Sequence, residues 1–217
     1  MKRQLAFNLP FRPALGDADF LVSPSNQDAV LWLDRWPDWP SHALALHGPA
    51  GCGKTHLAHV FCARTRATLL DAQDLTQERV PSLALAGGCV AVENTDHGMD
   101  ETALFHLFNA LKEAGGFLLL TGREAPARWS LSLPDLRSRL NATPTAFLAE
   151  PDDALMGAVL IKLFADRQIS VEVEVITYLL RHMERSFAAA QEVVARADAL
   201  ALAEKRGVTV PLIKRAL

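Results

Sequence analysis

A run of eight residues, 48–55, has the composition of a phosphate-binding loop. It fits the pattern G-x-x-x-x-G-K-[ST] in full and lies between an apolar run that predicts a strand and a segment that predicts a helix. In such a loop the glycines let backbone N–H groups converge on phosphate oxygens, the lysine reaches the terminal phosphates, and the hydroxyl binds Mg²⁺. We therefore predict a nucleoside-phosphate site. Its residues are Gly48, Pro49, Ala50, Gly51, Cys52, Gly53, Lys54 and Thr55.

A second polar position follows the next good strand, the segment CVAVEN at 89–94. Glu93 lies where nucleotide hydrolases of this kind carry the acid linked to Mg²⁺, and Asn94 lies where a second acid would activate water. Because an amide cannot accept the proton of that water at neutral pH, we predict nucleotide binding with weak or no hydrolysis by the chain itself. Asp96 lies two residues further on. An ordinary buried strand with a polar end is the alternative.

Three further residues lie where they could complete such a site. Thr121 is near the end of a third apolar strand at 117–122, Arg139 lies on a short helix at 134–140, and Arg185 begins a long helix. A polar group at Thr121 could sense the γ-phosphate, and an arginine can stabilise charge on it. Taken singly, each arginine is better explained as an ordinary surface residue.

The histidines and cysteines do not form a metal-binding pattern. His47, His56 and His59 flank the loop, but no acid completes a ligand set, so we interpret them as packing or solvent-facing residues. Three cysteines without a CxxC spacing indicate a reduced compartment and no disulfide framework. The tryptophans between 32 and 39 are interpreted as packing residues, because no basic stripe accompanies them as a base-stacking surface would need.

Apolar periodicity places these residues on an α/β framework. Up to residue 150, five short apolar runs alternate with helical segments, which predicts a parallel sheet flanked by helices. After Pro151 the pattern is helical throughout, and the longest of these helices, 186–206, is expected to end at Gly207. The predicted divisions are a flexible tail at 1–20, a nucleotide-binding α/β subdomain at 21–150 and a helical lid at 151–217.

Composition narrows the class further. The chain has 217 residues, of which 50% are hydrophobic and 22% charged, and this composition indicates a packed globular protein. A net charge of −3 is too small for a polybasic nucleic-acid binder. No apolar run approaches the roughly 18 residues of a membrane helix, and the N-terminus lacks the apolar core of a signal peptide. We therefore expect a cytoplasmic protein.

In their order and spacing, these motifs resemble the AAA+ module of the bacterial replication initiator DnaA and, more closely, the short Hda proteins of the same family. The resemblance covers nearly the whole chain. GPAGCGKTHLAH (48–59) is similar to the family's P-loop, LLLTGREAP (118–126) to its sensor-1 strand and LPDLRSRL (133–140) to its arginine-finger box. FLVSPSNQ (20–27) resembles the segment that lines the adenine pocket, and Arg185 falls at the sensor-2 position.

The resemblance implies a P-loop AAA+ fold that binds ADP or ATP with Mg²⁺. Thr55 and Glu93 would bind the metal ion, and Arg139 would act in trans as an arginine finger in the nucleotide site of a neighbouring DnaA. Glu93-Asn94 replaces the acidic pair of the initiator, which implies weak or no ATP hydrolysis by the chain itself. The residues implied to bind the nucleotide are Leu21, Val22, Asn26, residues 48–55, His56, Glu93, Asn94, Thr121 and Arg185.

Two features favour the Hda type over the initiator. The chain ends at Leu217, directly after the lid, so we expect it to lack the initiator's DNA-binding domain. The N-terminal peptide QLAFNL resembles the peptide by which Hda proteins bind the sliding clamp, with a glutamine for polar contacts and apolar anchors for a pocket. An ordinary N-terminal strand or tail is the alternative. The contact residues that the resemblance implies for this peptide are Gln4, Leu5, Phe7 and Leu9.

The resemblance therefore implies an Hda-type regulator that, with the DNA-loaded sliding clamp, promotes hydrolysis of DnaA-bound ATP and represses re-initiation of replication. The implied partners are DnaA and the clamp, with DNA contacted only indirectly and no membrane. Whether the protein forms a homo-oligomer stays open. Two alternatives stand beside this hypothesis: a nucleotide-gated adaptor that triggers no hydrolysis, and an autonomous ATPase of the DnaA or helicase-loader type.

Overall fold

The computed structural model describes residues 21–85 and 88–217 of the chain. Its contacts group the described residues into two compact units. The larger unit extends from residue 26 to residue 149, and the smaller holds residues 150–217 together with residues 21–25. None of the described helices is both long enough and apolar enough to cross a membrane.

A five-stranded parallel sheet with the strand order β2-β3-β4-β1-β5 forms the centre of the larger unit. The strands are β1 (Ala43–His47), β2 (Thr68–Asp71), β3 (Cys89–Glu93), β4 (Phe117–Gly122) and β5 (Thr145–Phe147). The first four residues of both β1 and β3 are buried, as expected for inner parallel strands covered on both faces, and this is why they occur as continuous apolar runs. The predicted five-stranded parallel sheet is confirmed.

Helices flank this sheet within the described part of the larger unit. They are α1 (Gln27–Asp34), α2 (Lys54–Thr65), α3 (Val80–Ala84), α4 (Glu101–Ala114) and α5 (Pro134–Asn141). The pattern predicted for α4 is confirmed, because Leu104, Leu107 and Leu111 are buried in the core against the sheet. Asp100 caps its N-terminus by accepting a hydrogen bond from the Ala103 N–H, and Gly115 ends it with a φ of 71°.

An aromatic cluster fills the space between α2 and the start of β4. Trp39 is buried and stacks on Phe61 at a ring separation of 5.6 Å, and Trp36 and Phe117 meet these rings edge-on. The indole N–H of Trp39 donates to the carbonyl oxygen of Trp32 at 2.6 Å. The interpretation of Trp36 and Trp39 as packing residues is therefore confirmed.

The smaller unit is helical, as predicted. Its helices are α6 (Asp153–Asp166), α7 (Val173–His182), α8 (Phe187–Glu204) and α9 (Val210–Ala216). Side chains from all four helices form one buried apolar core, which includes Leu160, Phe164, Leu179, Val194 and Leu212.

The structure changes two local predictions. The weakly helical region expected around 72–86 consists of short 3₁₀ turns at 72–74 and 77–79 followed by α3. The prediction that Gly207 ends the long helix is wrong. The helix ends at Glu204 because Lys205 adopts a left-handed conformation with a φ of 50°, and the N–H groups of residues 205 and 206 bond back to carbonyls of the last turn.

Candidate functional site

The loop after β1 has the backbone of a phosphate cradle. Gly48, Gly51 and Gly53 adopt φ values of 156°, 73° and 104°, which favour glycine because it lacks a Cβ. The N–H of Gly48 donates to the carbonyl oxygen of Gly122 on β4 at 3.3 Å. A Cβ at position 48 would lie 2.1 Å from the carbonyl oxygen of Leu148. Gly48 is therefore required both by its conformation and by its surroundings.

Lys54 begins α2, and its ammonium group bends back to the loop. Its Nζ donates to the carbonyl oxygens of Gly48 and Pro49, both at 2.7 Å, and lies 3.6 Å from the Sγ of Cys52. Cys52 is buried, and burial raises the pKa of its thiol even though the nearby Lys54 ammonium lowers it in part. The loop is thus curled around the lysine, as a phosphate-binding loop requires.

The exposed side of this loop continues into the first turn of α2. Ala50, Thr55 and His56 are exposed, and Pro49 is half-buried. The first-turn N–H groups of a helix have no acceptor within the helix, and its N-terminus carries partial positive charge. Together with Lys54, these groups give the loop the chemistry of an anion site. The structure therefore brings the eight residues predicted from the motif into one place.

Glu93, at the predicted position of the acid linked to Mg²⁺ (the Walker-B position of nucleotide hydrolases), lies at the end of β3, two strands away from β1 in the sheet. Glu93 is the last residue of β3 and is half-buried, and Asn94 follows with a φ of 58°. The Nδ2 of Asn94 donates to the Oδ2 of Asp71 at 2.6 Å. Asp71 ends β2 and stands beside Glu93 in the strand register. Sequence reasoning missed Asp71, although an acid at the end of the neighbouring parallel strand was an available signal.

Thr121 lies on β4, between β3 and β1, and is buried. Its carbonyl oxygen accepts hydrogen bonds from both the N–H and the Oγ1 of Thr95, each at 2.9 Å. Thr95 is fully buried just past the end of β3. These bonds join the end of the Walker-B strand to the predicted sensor strand. Thr95 was also missed, because its neighbour across the sheet is 26 residues away.

Asp96 is a structural residue of the same loop. Its Oδ2 accepts the N–H of Arg123 at 2.7 Å, and its Oδ1 lies 3.3 Å from the Nδ1 of His97. Burial raises the pKa of Asp96, but the hydrogen bonds from Arg123 and His97 outweigh it and leave the pKa below its usual value. Its carboxylate is thus engaged with the start of the loop after β4 and does not replace the acid missing at Asn94.

Arg139 lies on α5 against the aromatic side chains of α4. Its guanidinium carbon is 5.1 Å from the ring centroid of Phe105 and 5.9 Å from that of Phe108, a cation–π arrangement. Arg139 is half-buried, whereas Arg137 on the same helix is exposed. The two arginines of the LRSRL segment therefore differ in their surroundings.

Glu101 holds the start of α5 in place. One carboxylate oxygen accepts the N–H and the hydroxyl of Ser132 at 3.0 and 2.9 Å, and the other accepts the N–H of Leu133 at 2.7 Å. Burial raises the pKa of Glu101, but these hydrogen bonds and the charge of Arg137 lower it by a larger amount. The pKa of Glu101 therefore lies below its usual value. Glu101 thus links α4 to the helix that carries Arg139.

Other predicted residues lie outside this arrangement or belong to the smaller unit. Asn26 is buried before α1, and its carbonyl oxygen accepts the N–H of Val30 at 3.1 Å. Leu21 and Val22 belong to the smaller unit and are half-buried. The assignment of these three residues to an adenine pocket stays a prediction.

Arg185 also belongs to the smaller unit, where it precedes α8. Its Nη2 lies 2.8 Å from a carboxylate oxygen of Asp153, and both side chains are largely exposed. Ser186 caps α8 by accepting the N–H of Ala189 at 3.1 Å. The sensor-2 role of Arg185 stays a prediction.

Two predictions concern a clamp peptide and the absence of a metal centre. The clamp-binding residues Gln4, Leu5, Phe7 and Leu9 lie outside the described residues. Within residues 21–85 and 88–217, no group of three or more histidine, cysteine or acidic side chains could hold a metal ion.

Comparison with known proteins identifies the lid and the fold. Residues 153–217 match the family model described as "Hda, lid domain". The chain is 28% identical over 182 residues to an uncharacterized protein of Haemophilus influenzae, a match that covers 78% of this chain and 79% of that protein.

Solved structures show the same architecture. Domain III of the Thermotoga maritima replication initiation protein DnaA superposes with a TM-score of 0.78 at 18% identity, covering 96% of this chain and 97% of that one. The replication initiator DnaA bound to AMPPCP and single-stranded DNA gives a TM-score of 0.70 at 16% identity, covering 90% of this chain and 69% of that one. The AAA+ fold predicted from the sequence, with its DnaA-like sheet and Hda-like lid, is confirmed.

Proposed function

We propose that this chain, an Hda-like protein of the DnaA family, is a nucleotide-binding regulator that promotes hydrolysis of ATP bound to DnaA. One observation carries the proposal: a complete phosphate-binding loop occurs with an amide, Asn94, at the position of the water-activating acid. Such a unit suits nucleotide binding better than turnover. In this proposal the chain stimulates ATP hydrolysis by its partner DnaA and not its own hydrolysis. The outcome is repression of the re-initiation of replication.

Nucleotide binding in this proposal rests on the loop at 48–55. The glycine conformations and the cationic Lys54 fit a nucleoside di- or triphosphate. Lys54 would bind the phosphates, and Thr55 and Glu93 would bind Mg²⁺, which neutralises phosphate charge when bound. We propose ADP or ATP as the ligand, since the DnaA of similar fold was solved with AMPPCP.

We assign to Arg139 the stimulation of ATP hydrolysis in the partner DnaA. An arginine supplied in trans stabilises charge on the transferred phosphoryl group and is worth about 10³–10⁵ in rate. Arg139 is half-buried, and its guanidinium lies over the ring of Phe105. We propose that it reaches the nucleotide site of DnaA, with Glu101 holding its helix in position.

Two further assignments complete the proposal. Residues 4–9 would bind the DNA-loaded sliding clamp. The chain would then contact DNA only through its partners, and it would act in the cytoplasm. Arg185 would contribute to the nucleotide site from the lid. Pull-down on immobilised clamp tests the first: replacement of Gln4 and Leu5 by alanine should abolish capture, whereas Asn8→Ala, within the same peptide, should retain it. Equal capture of all three proteins would contradict the clamp assignment.

The central test is a reconstituted assay with DnaA, clamp and DNA. Arg139→Ala should lower the stimulated hydrolysis of DnaA-bound ATP by at least about 10³-fold. Arg137→Ala is the matched control, because it removes an exposed arginine from the same helix, and it should keep at least half of the stimulation. Circular dichroism and thermal unfolding show whether each variant is folded. Full stimulation by Arg139→Ala would refute the finger role.

A nucleotide-gated adaptor is the second candidate, and one observation favours it. The guanidinium of Arg139 already packs over Phe105 and Phe108 in the chain itself. An adaptor would capture both clamp and DnaA while leaving the ATP turnover of DnaA unchanged. The amide at Asn94 argues against an autonomous ATPase, and a turnover of about 1 s⁻¹ by the isolated chain would restore that alternative.

A further inference from the structure

His42, which precedes β1, joins the sheet to the middle of α4. Its backbone carbonyl oxygen accepts the N–H of Leu118 on β4 at 2.8 Å, so the residue is anchored to the sheet. Its Nε2 lies 3.0 Å from the carbonyl oxygen of Phe108, and the two rings meet edge-on with their centroids 4.3 Å apart. Phe108 itself is buried. His42 therefore contacts both the backbone and the ring of Phe108 and fixes them relative to the sheet.

Arg139 lies over the same aromatic ring. Its guanidinium carbon is 5.9 Å from the ring centroid of Phe108, which is within the range of a cation–π contact. His42 and Arg139 thus meet at one ring, although they come from the start of β1 and from α5. An arginine side chain has many rotamers, so a surface that holds the guanidinium reduces the conformational entropy that is lost when the guanidinium binds a partner. The placement of Phe108 therefore affects how well Arg139 is prepared to act.

The hydrogen bond to α4 decides which nitrogen of His42 can titrate. A carbonyl oxygen only accepts, so Nε2 carries the hydrogen, and a further proton adds at Nδ1 and leaves this bond intact. Among the described residues, the charged groups that act on His42 are Lys112 on α4 and Arg139 on α5, and both are cationic. Burial lowers the pKa of His42 most, the hydrogen bond raises it in part, and the two cations lower it again. The ring is therefore neutral at about pH 7, and acid changes its charge without removing its contact to α4.

We propose that His42 is a positioning residue for Arg139: its neutral ring holds Phe108 beneath the guanidinium, and its protonation repels that guanidinium and lowers the stimulation of ATP hydrolysis in DnaA. This rests on the proposed finger role of Arg139 and adds control by pH. Both side chains are half-buried, so their repulsion is stronger than it would be between two fully exposed charges. The coupling is reciprocal, because a proton on His42 that displaces the guanidinium is itself opposed by the charge of Arg139.

An NMR titration of the full chain tests the coupling without any partner. The imidazole resonances of His42 are those that the variant His42→Gln lacks. In Arg139→Gln, and in Arg139→Met, which keeps an apolar contact with the ring, His42 should take up its proton at a higher pH than in the wild type, because a repelling charge is gone. Arg137→Gln is the matched control, because it removes an exposed arginine from the same helix, and it should leave the titration midpoint unchanged. A midpoint equal to that of the wild type in both Arg139 variants would overturn the proposal.

The reconstituted assay with DnaA, clamp and DNA tests the consequence for stimulation. The wild type is compared with His42→Gln at each pH, from about pH 8 to below the midpoint found by NMR, so that the pH dependence of the partners cancels. Glutamine can still donate to the Phe108 carbonyl oxygen but takes up no proton. The ratio of wild-type to His42→Gln stimulation should fall at least about threefold over this range, as expected for a partly exposed charge pair. A constant ratio, or a ratio that rises in acid, would overturn the proposal.

Failure of the proposed function gives a different result. If Arg139→Ala stimulates DnaA as fully as the wild type, the finger role fails, whatever the pH profile of His42→Gln. The NMR midpoints then still decide whether His42 and Arg139 are coupled, because that measurement needs neither DnaA nor nucleotide. A midpoint that moves in the Arg139 variants together with a constant stimulation ratio would show coupling that does not reach the reaction, and it would refute the positioning role.

Discussion

Replacement of Gly48 by alanine is expected to destabilise the larger unit strongly. The new Cβ would lie 2.1 Å from the carbonyl oxygen of Leu148, and the φ of 156° disfavours any residue with a Cβ. Overpacking costs about 1–3 kcal/mol and a sparsely populated backbone conformation about 1–3 kcal/mol, so the total is about 2–6 kcal/mol. For a chain of this length, such a loss lowers the unfolding temperature by about 5–20 °C.

Two other glycines separate the contributions of strain and contact. Gly115 has a φ of 71° with nothing within 4 Å of a Cβ, so Gly115→Ala adds strain alone, about 1–2 kcal/mol or about 2–6 °C. Gly207 has neither a left-handed φ nor a close neighbour, so Gly207→Ala should change the unfolding temperature by less than about 2 °C. A thermal unfolding series with all three variants checks this order.

The same series tests the loop's role in binding. A ligand present at 100 times its dissociation constant stabilises the folded state by about 2.7 kcal/mol. ATP should therefore raise the unfolding temperature of the wild type, Gly115→Ala and Gly207→Ala by similar amounts, and raise that of Gly48→Ala much less. The reasoning is refuted if Gly48→Ala unfolds at or above the temperature of Gly115→Ala, because the contact with the Leu148 carbonyl would then cost nothing.

Two further predictions concern Glu101 and the cysteines. Glu101→Gln should lower the unfolding temperature by about 3 °C at pH 7, because an amide oxygen accepts the N–H groups of residues 132–133 less strongly than a carboxylate does. Since the folded-state pKa of Glu101 is lowered, its contribution is fully present above the usual pKa of a glutamate and is lost as the pH falls through the folded value. The difference between Glu101→Gln and the wild type should therefore shrink towards pH 3, and a constant difference in acid scans would contradict this. All three thiols have raised pKa values, mainly through burial, that of Cys62 reaching about 11, so a disulfide reagent at pH 8 should react slowly with Cys52, Cys62 and Cys89 until the chain unfolds. Rapid reaction of any of the three thiols in the native protein would contradict the burial of that cysteine.

The local parts of the site were predictable from the sequence, and the reason is physical. The phosphate-binding loop depends on glycine conformations and a lysine within eight residues, so the short-range pattern contains all of its requirements. The helix α4 was predictable because its apolar spacing, its cap at Asp100 and its stop at Gly115 are also local. The order of the strands is not local, and the sequence pattern predicted a parallel sheet without predicting which strands are neighbours.

The unpredicted contacts all cross between elements. Asn94 and Asp71 are 23 residues apart, Thr95 and Thr121 are 26 apart, and Glu101 reaches a backbone N–H 32 residues further on. Each depends on which strand ends and loops meet at one edge of the sheet, which the strand order decides. The prediction that α8 ends at Gly207 failed for a different reason. The left-handed residue that ends the helix is Lys205, and the sequence pattern pointed to the glycine.

The double hydrogen bond from Thr95 to the Thr121 carbonyl extends the sheet beyond the formal ends of its strands. It therefore keeps the amide proton of Thr95, which follows the end of β3, inside the buried structure of the sheet. We expect this amide proton to exchange with solvent as slowly as the amide protons of the central strands and more slowly than those of surface turns. The start of the segment that joins β3 to α4 is then expected to open together with the sheet.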